Sequence, residues 1–513
     1  MRVEAPVEWR WGTADAVFLA RGVQQLDRPR QQITIHGLPQ DLDTLLAMAR
    51  RYFCLVILLI SGVYLAGCAT TLINHPRNEP LRGVSNEAQK QALGPSESIG
   101  ETMVGLSFSG GGTRAAAFAF GVLKGLDAIP GEEDHALLDD VMFISGVSGG
   151  SLMAAYYGLH SKEGLSNFPE QVLLRDGEAA LRLNLFNPAN WMRLMAGGMN
   201  DINNLQRWLD RDVFHDATFA DLARRGRPEI WINASEMYHR IAFPFSAHAF
   251  DALCSDLYSL PVSVAVAASM AVPGYFSPVV LEKYPDACAG PPPAAVSGAQ
   301  RDHRTPLVLR DLARAIRDLR DPYSGKYLKL LDGGLTDNLG LTSILQTRLA
   351  LGTPYAPLTE ADAVRLRRML FVVVDANRPP AGDWNRVIEG PTAADSLQAV
   401  MDTAIDMNMR LAFDAFVAMA RAWRDDLVTY RCSLSAERTT QLRGDNRPWK
   451  CDDVEIVVTR LSFDDLDPER ARRLANIPTR LVLPTETIDE LIAAGNEAVT
   501  ANPQVRRLSE QLR

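Results

Sequence analysis

Gly146-Val147-Ser148-Gly149-Gly150 is a G-x-S-x-G turn between an apolar run and a helix-like stretch. A serine on a sharp strand-to-helix turn needs small neighbours, because the chain packs closely there. It also stands at a helix N-terminus, where partial positive charge favours a developing oxyanion. Upstream, Gly110-Gly111-Gly112-Thr113-Arg114 leaves backbone N–H groups bare after a short apolar run. Such a loop can receive an oxyanion or a phosphate. Arg114 falls in the first helical turn, against the dipole's preference, which points to binding an anionic group or steadying the loop. Downstream, Leu331-Asp332-Gly333-Gly334 sets an acid at a strand end beside two glycines. Together these residue types fit nucleophilic attack by Ser148 on an acyl carbon, with an acid that accepts the serine proton. A serine that merely caps a helix is the plainer alternative.

The activating base is the open question. The Ser…Asp…His order requires a histidine after the acid, and none of the eight histidines follows Asp332. His215, His239 and His248 stay as minor rivals. The alternative is a Ser–Asp dyad, in which burial raises the acid from its ordinary pKa of about 3.9 towards a useful base strength. A dinucleotide fingerprint is the rival reading of the glycine loop. It fails because the next strand ends in the nucleophile turn instead of an acidic residue. A P-loop is excluded because no G-K-[ST] follows.

The elements that must position these turns are short apolar strands alternating with helical stretches. Strands are expected at Met103–Phe108, Val141–Ile144, Ile230–Asn233, Ile241–Phe245, Lys329–Leu331 and Arg368–Asp375, and residues 289–325 read as an insertion. Strands alternating with helices predict an α/β fold with a mainly parallel sheet covered on both faces. From about residue 392 the chain is expected to be mostly helical. The apolar stretch Ala393–Ala422, with Met401, Met407, Met409 and Met419, fits either core or a cover over an acyl groove.

The chain has 513 residues, 47% hydrophobic and 22% charged, with a net charge of −9. That composition excludes a disordered chain and a multi-span membrane protein, and it argues against a nucleic-acid partner. The N-terminal region carries Arg50-Arg51, an apolar run and Leu65-Ala66-Gly67-Cys68. This resembles the signal and lipobox of bacterial lipoproteins, with Cys68 as the lipidated residue; a cleaved signal or a plain transmembrane anchor is the alternative. Because signals sit at the true N-terminus, translation is expected to begin at Met48, and 1–47 to come from a mis-called start or to be disordered. Ala69 follows Cys68, and the resemblance then implies an outer-membrane lipoprotein facing the periplasm. Four cysteines remain, Cys254, Cys288, Cys432 and Cys451, and of three connectivities the sequence-near pairs 254–288 and 432–451 are expected.

The three turns in their order, with Ala268-Ser269-Met270-Ala271-Val272-Pro273-Gly274 and Asn233-Ala234-Ser235, resemble the patatin-like phospholipases. One departure is Ala115, where the family's oxyanion motif ends in glycine. The resemblance implies a patatin-like α/β domain over 101–378 with a helical C-terminal extension, 379–513. It follows a signal peptide, 48–68, and a tether, 69–100. It implies a Ser148–Asp332 dyad working through an acyl-enzyme. Amides of Gly111 and Gly112 receive the oxyanion, Gly110 shapes the loop, and no metal or organic cofactor is needed. The expected partners are a phospholipid or other lipid ester as substrate and a membrane through the N-terminal lipid anchor. The alternative is an envelope lipoprotein with a lipid-binding role on an inactive form of the same scaffold.

Overall fold

The runs Thr102–Phe108 and Arg368–Asp375 are apolar almost throughout because both faces of the sheet they build are covered. The computed structural model describes residue 52 and residues 74–93, 99–131, 135–181, 202–292, 294–299, 305–378, 386, 388–445 and 448–512. All of these except Tyr52 belong to the unit Thr70–Arg513. The expected signal peptide and Cys68 lie outside the described residues, apart from Tyr52.

Ten strands are present among the described residues: β1 (Glu79–Pro80), β2 (Thr102–Phe108), β3 (Val141–Val147), β4 (Glu229–Glu236), β5 (Ile241–Phe245), β6 (Ser255–Asp256), β7 (Val279–Glu282), β8 (Tyr327–Asp332), β9 (Arg368–Asp375) and β10 (Glu455–Ser462). The helices that bear on the site are α1 (Asn86–Leu93), α2 (Gly112–Asp127), α3 (Gly149–His160), α4 (Val262–Ser269), α5 (Gly334–Asp337), α6 (Ala393–Cys432) and α7 (Thr485–Ala501). The main sheet runs β10-β9-β2-β3-β4-β8-β7, with β5 also on β4. Strands β10, β9, β2, β3 and β4 are parallel, whereas β8, β7 and β5 pair antiparallel. The sheet is therefore mixed, and the parallel expectation describes one side of it.

The register along β4 decides where the chemistry can sit. Strand β3 runs parallel to β4 and ends with Val147 opposite Asn233. Strand β8 runs the other way along β4 and ends with Asp332 opposite Ala234, the next position. The two C-terminal ends thus meet head-on at one point of the sheet.

Side chains alternate between two cores. Leu370, Val372 and Val374 face one with Val104 and Leu106; Met369, Phe371 and Val373 face the other with Phe143 and Trp231. The first core is closed by α2, α3, α4 and α7, and the second by the C-terminal half of α6, where Phe416 and Trp423 pack on Phe371 with ring centroids 5.0 Å and 6.1 Å away.

The C-terminal region is mostly helical, as expected, with one strand, β10, among its helices. Within the expected tether, Asn78 donates to Ser255 Oγ (2.9 Å) and the Glu282 carbonyl (2.7 Å), while α1 is held through Asn86 to Asp251 and the Ser255 carbonyl. Polar side chains that suggested a solvated linker bond to the domain instead. In the expected helical extension, β10 adds to the sheet beside β9, and α7 packs on α2 through Gly121, Gly125 and Gly495. The region from 379 onward is integral to the domain's fold. The disulfides Cys254–Cys288 and Cys432–Cys451 are both formed. No helix among the described residues is long and apolar enough to cross a membrane.

A Cβ at Gly495 would collide with the Phe118 carbonyl of α2. Gly495→Leu therefore forces two helix backbones apart and is expected to lower stability by about 3 kcal/mol in urea unfolding. Unchanged stability would contradict the tight α2–α7 contact.

Candidate active site

Ser148 is the residue between β3 and α3. Its backbone, at φ 50° and ψ −120°, is in a region that side-chain-bearing residues seldom occupy. The turn is held from several sides. The Ser148 amide donates to Ser269 Oγ (2.7 Å), and Ser269 Oγ–H donates to the Asn233 carbonyl (2.6 Å). Asn233 Nδ2 donates to Ser145 Oγ (2.8 Å) and the Gly146 carbonyl (3.0 Å), and Ser343 Oγ–H donates to Asn233 Oδ1 (2.6 Å). Ser151 Oγ–H donates to the Ser148 carbonyl (2.6 Å). A strained turn persists when such surroundings over-determine it.

Ser148 Oγ–H donates to Asp332 Oδ2 at 2.9 Å, across 184 positions of sequence. The other carboxylate oxygen, Oδ1, accepts the Gly334 amide at 2.8 Å. The Asp332 backbone is fixed by its amide to the Ala271 carbonyl (2.9 Å) and its carbonyl to Ser235 Oγ (2.8 Å). Burial raises the Asp332 pKa to about 6, against the opposing pull of the Gly334 amide and Ser148. The neighbouring Asp337 is also raised by burial to about 6, and its Oδ2 accepts the Thr342 amide (2.5 Å).

The glycine loop lies against this pair. Gly110 donates its amide to the Asn338 carbonyl (3.1 Å), and Thr113 donates to the Arg480 carbonyl (2.9 Å). The amides between them, of Gly111 and Gly112, have no hydrogen-bond partner among the described residues. Gly111 (φ 143°) and Gly112 (φ 61°) take conformations that favour glycine. A Cβ at Gly149 would collide with the Gly112 carbonyl, so the loop and the nucleophile turn touch backbone to backbone. Ala115, the departure from the family motif, lies inside α2 and is not among the positive-φ residues.

Arg114 supports the loop. It is 1% exposed; Nε donates to the Ala376 carbonyl (2.9 Å) and Nη1 to the Ile477 carbonyl. Burial, with Arg378 nearby, lowers its pKa to about 10, so it stays cationic at neutral pH. These contacts tie its guanidinium to backbone carbonyls on two other segments beside the loop. The rival histidines are elsewhere: His239 bonds Glu236 (2.9 Å) and Asp318 (3.3 Å), His248 faces Glu87, and neither these nor His215 bonds Ser148 or Asp332. Ser269 and Asn233 stand in the family-like motifs of the sequence, but the bonds they make to the serine turn are visible only in the fold. Ile477 and Arg480, which brace the glycine loop, carry no local signal at all.

A sheet with a serine on a tight strand–helix turn and an acid at the facing strand end defines the class as an α/β protein. Residues 106–345 match the model of the patatin-like phospholipase family, and this part of the chain is a domain of that family. No curated protein matches the chain. Among solved structures, human GIVD cytosolic phospholipase A2 is 12% identical with a TM-score of 0.40, the alignment covering 84% of this chain and 66% of that one. The same human enzyme in complex with methyl gamma-linolenyl fluorophosphonate is 14% identical, with coverage of 83% and 63% and a TM-score of 0.34. This chain thus spans just under two thirds of their length.

Two predictions follow from the pKa and the turn. A buried acid with a raised pKa favours its protonated form in the fold, so the folded state loses stability as pH rises from about 4 through 6. Asp332→Asn, neutral throughout, is expected to be more stable than wild type by about 2–3 kcal/mol at pH 8. The gap should close below pH 4, and urea unfolding at both pH values checks this. Ser269→Ala removes the acceptor of the buried Ser148 amide and is expected to lower stability by about 1–3 kcal/mol in urea unfolding; unchanged stability would contradict the bracing of the turn.

Proposed function

We propose that the protein is a serine lipid acyl hydrolase using Ser148 and Asp332. The observation that carries this is the 2.9 Å bond from Ser148 Oγ to a buried carboxylate, next to two amides that have no hydrogen-bond partner among the described residues. Its setting within a patatin-like phospholipase domain supports lipid as the substrate class.

In the proposed mechanism Ser148 Oγ attacks the acyl carbonyl of a lipid ester and its proton passes to Asp332 Oδ2. Raising the carboxyl to about 6 makes it a stronger base than a solvated aspartate. The tetrahedral oxyanion is received by the Gly111 and Gly112 amides, at the N-terminus of α2, whose dipole favours negative charge. Removing one such donor typically costs about 3–4 kcal/mol of transition-state stabilisation. Asp332 then protonates the departing alkoxide, leaving an ester on Ser148. Water attacks this ester, gives a proton to Asp332, and the fatty acid leaves as the proton returns to Ser148 Oγ.

The Gly334 amide bond keeps Asp332 Oδ1 engaged, so Oδ2 is the oxygen offered to the serine. Cys68 is proposed as the lipidated N-terminus of an outer-membrane lipoprotein facing the periplasm, on the lipobox reading of Leu65–Cys68.

Ser148→Ala and Asp332→Asn are each expected to lower hydrolysis of phospholipids and short esters by about 10³-fold or more while the protein stays folded. The rate on a soluble ester should rise with pH along a limb near pH 6. Full activity in either variant, or a flat profile between pH 4 and 8, would refute the dyad. A product panel from defined phospholipids fixes the scissile position in the same experiment.

A further inference from the structure

The long helix α6 has two halves of different character. From Met409 onward it packs into the core through Phe416, Met419, Trp423 and Leu427. Before Met409 no described residue of the helix is buried. In this first half Leu397 is 64% exposed, Val400 66% and Met407 50%, and Leu411, one turn on, is 62% exposed on the side away from the core. With the exposed Ala404 they recur at spacings of three and four, which places them on one arc of about 80° at about 100° per residue. Large apolar side chains aligned in this way on a surface mark an interaction site.

The stripe borders the site. Asn408, just beside that arc, donates to the Thr336 carbonyl, four residues after Asp332. Asp406 accepts from Asn377 Nδ2 (2.7 Å), beyond the end of β9. A second exposed ring lies on another segment bonded to the acid turn. Tyr275, 49% exposed, follows Ala271, whose carbonyl receives the Asp332 amide. The same segment continues to Ser277 and Pro278, where Asn74 docks (3.0 Å and 2.6 Å). Five residues separate Asn74 from Cys68, at most about 20 Å of extended chain.

We infer that the stripe Leu397–Val400–Met407–Leu411, with Tyr275, is the face by which the protein sits on a lipid surface and presents its site to substrate in the bilayer. This deepens the hydrolase reading and rests on it. Three observations favour lipid as the occupant. The stripe's Met407 end is joined through Asn408 to the segment that follows the acid turn, where a substrate leaving a membrane must arrive. A short chain from an anchored Cys68 would hold the Ser277–Pro278 side near the membrane. Four partly exposed side chains offer a few hundred Å², against about 800 Å² per partner in a standard protein interface, which is too little for a stable dimer. The polar face carries Asp395, Asp402 and Asp406 against Arg410, so apolar insertion, not attraction to anionic headgroups, drives the contact.

The test uses the full chain, phosphatidylcholine vesicles and p-nitrophenyl butyrate as a monomeric ester. In the triple variant Leu397→Gln, Val400→Gln, Leu411→Gln, vesicle turnover is expected to fall about tenfold or more while ester turnover stays within about twofold. In wild type, vesicles should slow amide exchange across 393–411. Equal vesicle turnover in variant and wild type overturns the inference, and so does a parallel fall on both substrates. A wild-type dimer in sedimentation that the variant loses also overturns it, making the stripe a self-association face. If wild type turns over neither substrate, the hydrolase reading fails. Docking is then decided by amide exchange alone, upheld if vesicles slow it over 393–411 and overturned if they do not.

Discussion

The bond between Ser148 and Asp332 depends on one feature of the sheet: β3 and β8 approach from opposite directions along the same edge of β4 and stop at adjacent positions, Asn233 and Ala234. A wholly parallel sheet would send both strand ends the same way and could not bring them together like this. The antiparallel entry of β8 is therefore a requirement of the site. It also explains why the glycines beside Asp332 matter, since a Cβ on Gly333 would meet the Asn233 carbonyl.

Around that meeting point, most of the polar side chains act on backbone. Ser269, Asn233, Ser145 and Ser343 form one connected set of buried hydrogen bonds that ties the nucleophile turn to β4 and α4. Such a set resists displacement because any member left unpaired would suffer the desolvation of a buried polar group. Arg114 extends the bracing in another direction, from the glycine loop to the end of β9 and to Ile477. The C-terminal region thus steadies the glycine loop beside Ser148, although it lies outside the matched family segment.

Much of this was legible in the sequence where the cause is local. Glycines cluster at 110–112, 146–150 and 333–334 because backbones touch there, and the apolar runs of β2 and β9 follow from burial on both faces. What was not legible depends on distant partners. Nothing in Thr485–Ala501 announces that Gly495 will lie against α2, and β10 was absorbed into a stretch read as helical because helices flank it. The polar segment 69–100 reads as a tether for the same reason: within it Asn78 and Asn86 find their acceptors more than 160 residues away. Likewise, the exposure of Leu397 and the burial of Met419 on one continuous helix can be seen only once the sheet that covers the second half is in place.

The most direct test of the account is labelling by a fluorophosphonate, followed by peptide mass spectrometry. The account predicts a single phosphonylated serine, Ser148, formed faster above pH 6 than below it, with the rate reduced about a hundredfold or more in Asp332→Asn. Modification at another serine, or the same rate with the carboxylate removed, would contradict it.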